Sequence, residues 1–563
     1  MAARQSGPLQ DGRIQSVTAF CAAIGAFMAN WMQKCVRLWE KSWVRWLCGY
    51  PVVLFCGAAL VYYWRVIYAL GEHTPGSAVR LTAAVCGVFS LVYLLVLLSA
   101  HFLRQELALK AAVLIVLAGL FFVFADPPLQ APDENEHFLR AYSIGSGNFL
   151  FDQQEDYPDD VDLLTRYFDG PVAHTQEGGL AGGYRRYAQG DAGGDTAPNA
   201  VTKIQQLIPY LPQAAGVAIG RMLGADAMTC MYLARITNLL AYAAMCGAAL
   251  WFARHFAPVL VAVMLCPITL FIVGSCSSDS MFLGLIWIFT GICLSDAVTP
   301  KRLAVLVLCF GITFHAKNTT LALLPLLALP SFAEVGHLGR AGNKQLSAAA
   351  RRMWALGIVL AGGLLTFQLL NGYTALASNY GSFEYFDPNI DPAAQVRFIF
   401  SNLPRYAAVF CYTLYRDNFC VFSMGNFGQL DVKIQLINLL SPLVLLFAAG
   451  CSALEGARAP RKTGWAMGAL AALEYAFTYT GMYMTSTPVT LPEINGVQTR
   501  YLLPAFFALL VLAAMLMGRT MALQELQAGK QQKTPPAWRV LHLSFLWSVV
   551  SAVLLFQRYY IEA

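Results

Sequence analysis

The stretch Pro132-Asp133-Glu134-Asn135-Glu136-His137-Phe138-Leu139-Arg140-Ala141-Tyr142 gathers three carboxylates, an imidazole and a guanidinium. Crowded carboxylates at a membrane edge repel one another, which raises a pKa toward that of a general base; alternatively they collect a divalent cation such as Mg2+ or Mn2+. Asp133 and Glu134 are the candidate bases, with Glu136 and His137 in support, and Asp133, Glu134 and Glu136 are the ligand set if a metal binds. Arg140 stands seven residues after Asp133, near two turns at ~3.6 residues per turn, so a helix starting here sets both on one face. The plainer reading is a solvated acidic loop in which Arg140 pairs with Asp133 or Glu136.

Three more charges sit at the ends of apolar runs. Asp279, in Ser275-Cys276-Ser277-Ser278-Asp279-Ser280, is expected first of all to cap the helix that follows, with a supporting place in a charged site as the alternative. Lys317 and Arg500 stand where a lipid-borne phosphate needs a cation. Around Arg500, the segment Asn495-Gly496-Val497-Gln498-Thr499-Arg500-Tyr501 adds donors in Gln498 and Tyr501, a turn glycine and an interfacial aromatic. Ordinary snorkelling is the plainer account of Arg500.

Positioning these residues is the work of a bilayer-embedded chain. Of 563 residues, 57% are hydrophobic and 12% charged, about half the charge of a soluble domain. Apolar runs of roughly 18 to 22 residues recur, each long enough to cross a hydrocarbon core as a helix. The net charge of +6 comes from clusters between these runs, a pattern of membrane orientation, and no nucleic-acid motif accompanies it. Of the 14 cysteines most fall inside apolar runs, as small hydrophobes, so no structural disulfide is expected.

Lys34, Arg37, Lys41, Arg45, Arg104 and Lys110 belong inside by the positive-inside rule, which sends the run ending at Ala125 outward. Residues 126–203 then form a large external loop with 14 of the 32 acids. The run 204–223, broken by Pro209 and Pro212, is expected to lie along the outer interface, and the run 232–252 to cross inward. The outward connections become 126–203, 275–280, the turn 315–318, 371–432 and 486–500, converging on one external cavity. The resulting architecture is an all-α polytopic membrane protein of about 13 transmembrane helices, some (303–314, 319–333) short or tilted. Its parts are a cytoplasmic or interfacial segment 1–46 that includes a weak apolar stretch at 14–30, one transmembrane domain 47–557, and an external tail 558–563. The glycine-rich stretch 178–183 lacks the flanks of a P-loop and reads as flexible loop. Arg65, Arg235 and Glu474 are the visible charges within spans, too few for a chain lined for ion-driven transport.

The 132–142 motif, Pro209-Tyr210-Leu211-Pro212-Gln213, Arg235-Ile236-Thr237-Asn238, Pro267 with Ser278-Asp279, Lys317, and Gly496-Val497-Gln498-Thr499-Arg500-Tyr501-Leu502-Leu503-Pro504 together resemble the bacterial membrane-protein family called domain of unknown function 2142. The likeness covers roughly 111–517. That family usually has glycine where this chain has Thr499, a departure that bears on backbone freedom and leaves the cation and phenol in place.

The family in turn resembles the type C glycosyltransferase fold, in which an acid in the first large external loop acts on the acceptor while cations hold a polyprenyl-phosphate sugar. The resemblance implies a general base in Asp133 or Glu134, and donor-phosphate contacts from Arg140, Lys317 and Arg500. It implies a multi-pass enzyme of the bacterial inner membrane with its site facing the periplasm. Its partners would be the lipid-linked donor, a glycan or lipid-linked acceptor such as an O-antigen precursor, and the bilayer. A lipid-linked oligosaccharide flippase and a non-catalytic membrane subunit are the competing expectations.

Overall fold

The computed structural model describes Ser90 and residues 107–150, 157–168, 179–190, 204, 206–329, 331–332, 340–341, 344–345, 347–377, 389–528 and 537–560. Contacts divide the chain between Phe102 and Leu103, and the description below concerns the second part. The apolar runs expected at 14–30, 51–68 and 81–102 lie essentially outside the described residues, as do the last three residues of the tail.

The fold is helical. The helices that build the site are α1 (Leu107–Ala125), α2 (Glu134–Gly145), α3 (Leu211–Met222), α4 (Ala227–Phe252), α5 (Asp279–Cys293), α6 (Pro300–Ala316), α7 (Ala348–Ala377), α8 (Arg461–Thr485), α9 (Leu503–Ala528) and α10 (Ala537–Tyr560). Five described segments are long and apolar enough to cross a membrane: Leu107–Ala125, Ala227–Phe252, Ala348–Ala375, Thr499–Arg519 and Ala537–Tyr560. The short runs read from the sequence are short here: α6 has 17 residues and is followed by a 3-10 segment, Asn318–Ala328. The described strands form two two-stranded hairpins, one of them pairing Asn426–Phe427 with Val432–Lys433.

Local chemistry sets the ends of these elements. Pro209 and Pro212, which interrupt the apolar pattern, stand at helix starts, where a missing N–H costs nothing. Asp226 caps α4 by accepting the Thr229 N–H at 3.0 Å. Helix α3 then lies against α4 so closely that a Cβ on Gly216 would stand 2.4 Å from the Leu233 carbonyl oxygen. Its far end exposes Met222 and Leu223, apolar surface suited to lipid. The glycine-rich stretch expected to be loop is instead a helix, Gly179–Gln189. Its tyrosines decide the matter: Tyr184 packs edge-on against Phe168 at 5.0 Å, and its hydroxyl meets those of Tyr232 and Tyr560 at 3.3 Å each.

At the C-terminal end of α1 the chain is tied by one ion pair. Glu134 takes Arg235 of α4 in a two-pronged grip, Nε to Oε1 at 2.7 Å and Nη2 to Oε2 at 2.6 Å, with both side chains fully buried. Arg235 also donates to the carbonyls of Val123 (3.0 Å), Asp126 (2.7 Å) and Pro127 (2.8 Å), the last carbonyls of α1 and the bend beyond it. Glu134 Oε1 in turn accepts the Cys276 N–H at 2.9 Å, and Asn238, one turn after Arg235, donates to Ser275 O at 2.7 Å and Ser280 Oγ at 2.7 Å. Gln213 of α3 reaches Ser277 O at 3.1 Å. Helices α1 to α5 thus meet through one buried polar cluster.

Removing one partner of a buried pair strands the other charge, at a cost of about 3–5 kcal/mol, whereas replacing both with apolar groups of similar volume is far milder. Glu134→Gln is therefore expected to lower the apparent melting temperature of the detergent-purified protein more than the double change Glu134→Leu with Arg235→Met does; equal shifts would argue against a stranded charge.

Candidate functional site

Asp133 precedes α2 as its N-cap residue, in a left-handed backbone conformation (φ 60°) and without a side-chain capping bond. Its carboxylate is 69% exposed, while that of the next residue, Glu134, is wholly enclosed against Arg235. Two adjacent acids have opposite fates because the helix begins between them. Asp133 does not share a helical face with Arg140 as the spacing suggests. Arg140 is fully buried, donating from Nε to Gln206 O and from Nη2 to Phe149 O, both at 3.1 Å, and so fastens the loop after α2.

The residues that do come together arrive from four separate places. Asp279 opens α5, and no capping bond is formed there; its carboxylate turns to two cations instead. Oδ1 accepts from Lys317 Nζ, and Oδ2 lies 3.0 Å from Arg500 Nε. Lys317 terminates α6, where the chain leaves the helix in an extended conformation. Arg500 sits in the 3-10 turn Thr499–Leu502 that leads into α9. Its Nη2 stands 3.7 Å from Asp133 Oδ2 and donates to the Tyr501 hydroxyl at 3.1 Å. The Tyr501 ring lies 4.6 Å from Lys317 Nζ and 5.0 Å from the Arg500 guanidinium carbon, within the range of cation–π attraction.

His137, one turn into α2, shares a 2.6 Å hydrogen bond with the Tyr210 hydroxyl. Burial lowers its pKa to about 4, the Arg500 and Lys317 cations pulling the same way and Asp133 and Asp279 opposing them. Glu136 is partly buried in the first turn of α2. Asp133, Glu134 and Glu136 do not converge on one point, and no group of three His, Cys, Asp or Glu side chains placed to hold a metal ion occurs among the described residues.

Arg500 also forms part of the wall of a cavity of about 360 Å³. The guanidinium is 4% exposed, and its Nε and Nη1 have no hydrogen-bond partner, the Asp279 contact being poorly aligned for one. Gln498, Thr499, Arg416, Asn426 and Lys433 are further wall residues. Thr499 does not adopt a left-handed backbone, and its hydroxyl donates to Ser423 O, also of the cavity wall, at 3.1 Å. The rim contains a run of three left-handed residues, Asn418 (φ 49°), Phe419 (φ 54°) and Cys420 (φ 57°). Arg416 and Lys433 escaped the sequence reading because they lie inside a long connecting segment with no spacing to mark them. Arg235 was singled out as a charge within a span and as part of the Arg235-Ile236-Thr237-Asn238 motif, and a span charge following an acid-rich segment is the signal that could have paired it with Glu134.

A family model described as a predicted membrane protein, DUF2142, matches residues 114–511 of the 563. No curated protein matches the chain, and no solved structure does. The match takes in Asp133, His137, Asp279, Lys317 and Arg500 together with the Glu134–Arg235 pair that frames them. With more than half of its length so matched, the chain belongs to the DUF2142 family of predicted membrane proteins.

Proposed function

We propose that this multi-pass membrane protein is a glycosyltransferase of the type C kind, moving a sugar from a polyprenyl-phosphate donor to a glycan or lipid-linked acceptor at the outer face of a bacterial inner membrane. The observation that carries the reading is Arg500: a buried guanidinium with unpaired nitrogens on the wall of a cavity, 3.7 Å from an exposed carboxylate. A buried cation with donors to spare is a seat for an anion, and a phosphate oxygen matches a guanidinium in charge and geometry.

The roles follow from where each group stands. Asp133, the exposed acid, takes the proton of the acceptor hydroxyl as its oxygen bonds to the anomeric carbon; the bond from that carbon to the phosphate oxygen breaks, and its electron pair leaves with the phosphate. Arg500 and Lys317 stabilise the departing anion in a poorly hydrated space. Asp279 holds both cations in place while the donor is absent. Arg140, enclosed by carbonyls, is a loop anchor in this scheme, and Glu134 a frame residue. His137, neutral at working pH, orients with Tyr210 and adds no third cation.

The test is transfer of radiolabelled sugar from a panel of short-chain polyprenyl-phosphate sugars to lipid and glycan acceptors in vesicles. Asp133→Asn is expected to abolish transfer with protein levels unchanged. Arg500→Ala is expected to lower kcat by roughly 10²-fold, the scale of losing one donor to a developing anion, with Arg500→Lys recovering part of it. Transfer indifferent to both changes, or none with any donor, would move the reading to a flippase or a non-catalytic subunit.

A second expectation concerns pH. An imidazole lowered from 6.5 to about 4 in the folded protein is protonated more readily once unfolded, so stability contributed by neutral His137 is complete above pH 6.5 and is lost as pH falls toward 4. Melting curves of wild type and His137→Gln in detergent should diverge in that window, wild type losing more; parallel curves would show that His137 does not titrate this way.

A further inference from the structure

Beneath the Glu134–Arg235 pair lie four buried oxygens with no hydrogen-bond partner: Asp126 Oδ1, both carboxylate oxygens of Asp431, and the Tyr559 hydroxyl. Asp126 is wholly enclosed and Tyr559 2% exposed. Polar atoms left so are rare in folded proteins, because each forfeits its bonds to water. Here four of them gather in one place.

Independent contacts bring them together. Asp126 directly follows α1. Asp431 lies in the turn of the 426–433 hairpin, whose Phe427 ring packs 6.2 Å from Phe122 of α1 and 5.1 Å from Phe271. Tyr559 is one residue from the end of α10, which packs along α1. Gly428, at φ 63°, faces two of the oxygens: a Cβ built there would stand 2.3 Å from Asp431 Oδ1 and 2.5 Å from the Tyr559 hydroxyl. Any side chain at that position would fill the space between them, and the left-handed backbone also favours glycine.

The missing donors leave a place for a cation. Asp126, Glu134 and Asp431 bring three carboxylates to this end of the molecule, against one guanidinium. Arg235 is fully engaged by Glu134, Asp126 Oδ2 and three carbonyls, and Asp431 receives none of its hydrogen bonds. Asp126 Oδ1 and both Asp431 oxygens are left without a donor, with Asp126 wholly enclosed beside the negative end of the α1 dipole. The unmet atoms are all oxygens, with neither imidazole nor thiolate among them, which is the donor set of a hard ion that completes its shell with carbonyls and water.

We propose that Asp126, Asp431 and Tyr559 hold a divalent cation of the hard, oxygen-binding kind. This is a place distinct from the outer Asp133–Glu134–Glu136 cluster singled out by sequence. The ion would pin the hairpin to α1, and since Asn426, Leu430 and Lys433 of that hairpin also line the cavity, it would brace the cavity wall. The proposal does not depend on the reaction assigned to the cavity.

The experiment uses the full chain, purified in detergent and stripped with a chelator, then titrated with Ca2+, Mg2+ and Mn2+ while heat of binding and apparent melting temperature are followed. At least one of the three is expected to bind one per chain and to raise the melting temperature. Asp431→Asn should abolish binding, and Tyr559→Phe, which keeps the packing, should weaken it about tenfold, on the scale of a lost supporting contact at a metal site. Asp133→Asn should leave it intact. The proposal falls if none of the three ions binds, if binding survives both Asp431→Asn and Tyr559→Phe, if it is lost with Asp133→Asn instead, or if chelated protein is stabilised only by acid, which would mean that protons neutralise the carboxylates.

Discussion

Everything described at the C-terminal end of α1 depends on where Arg235 puts its hydrogen bonds. A guanidinium at the membrane edge has to be satisfied on the spot, and it is satisfied by a carboxylate and by three carbonyls at and just beyond the end of α1. That choice fixes the exit angle of the chain after Ala125 and the starting point of α2. It also fixes the turn between Ser275 and Ser280, because Glu134 takes the Cys276 N–H while Asn238 takes the neighbouring carbonyl and hydroxyl. Asp133 is exposed because Glu134 is not: the two acids flank a helix start, and the frame claims the second. Asp279 is delivered to its cations by the same turn. Without the pair the charges of the site would have no common origin.

The single 132–142 segment therefore does two jobs. Glu134 and Arg140 are turned inward to protein donors and carbonyls, one holding helices together and the other fastening a loop. Asp133 and His137 face the assembly of Asp279, Lys317, Arg500 and Tyr501. In that assembly one buried carboxylate stands between two cations, and a phenol ring covers both cations from the side. The arrangement keeps positive charge concentrated and ready at the cavity wall while neutralising enough of it for the fold to tolerate.

Much of this was legible in the sequence, and the failures have definite causes. Membrane residence followed from apolar run length, which depends on bilayer thickness alone, and the short elements around Lys317 followed from the same measure. Lys317 and Arg500 could be picked out because each stands at the end of an apolar run, where a lipid-borne phosphate would need a cation. What spacing could not reveal was direction. Asp133 and Arg140 are two turns apart only if both belong to the helix, and the left-handed backbone at Asp133 sets it outside. Asp279 sits where a cap would sit, but the pull of two cations from remote segments overrides a local bond. The glycines at 178–183 suggest freedom, and the tyrosines that follow them take it away by packing. Partners a hundred residues apart, such as Glu134 and Arg235, are marked in the sequence only as charges in need of a partner and not as a pair.

The left-handed run at Asn418, Phe419 and Cys420 bears on how this protein can be engineered. Such a conformation costs a non-glycine residue on the order of 1–3 kcal/mol, against a total stability of about 5–15 kcal/mol for an ordinary domain. Three in succession concentrate backbone strain in one short stretch beside the cavity. Glycine there would relax the backbone and harden the fold, but it would also free the rim from the single shape that Phe419 and its neighbours now impose. The stretch where stabilising substitutions are easiest to find is thus also the one where they most endanger the shape of the cavity mouth.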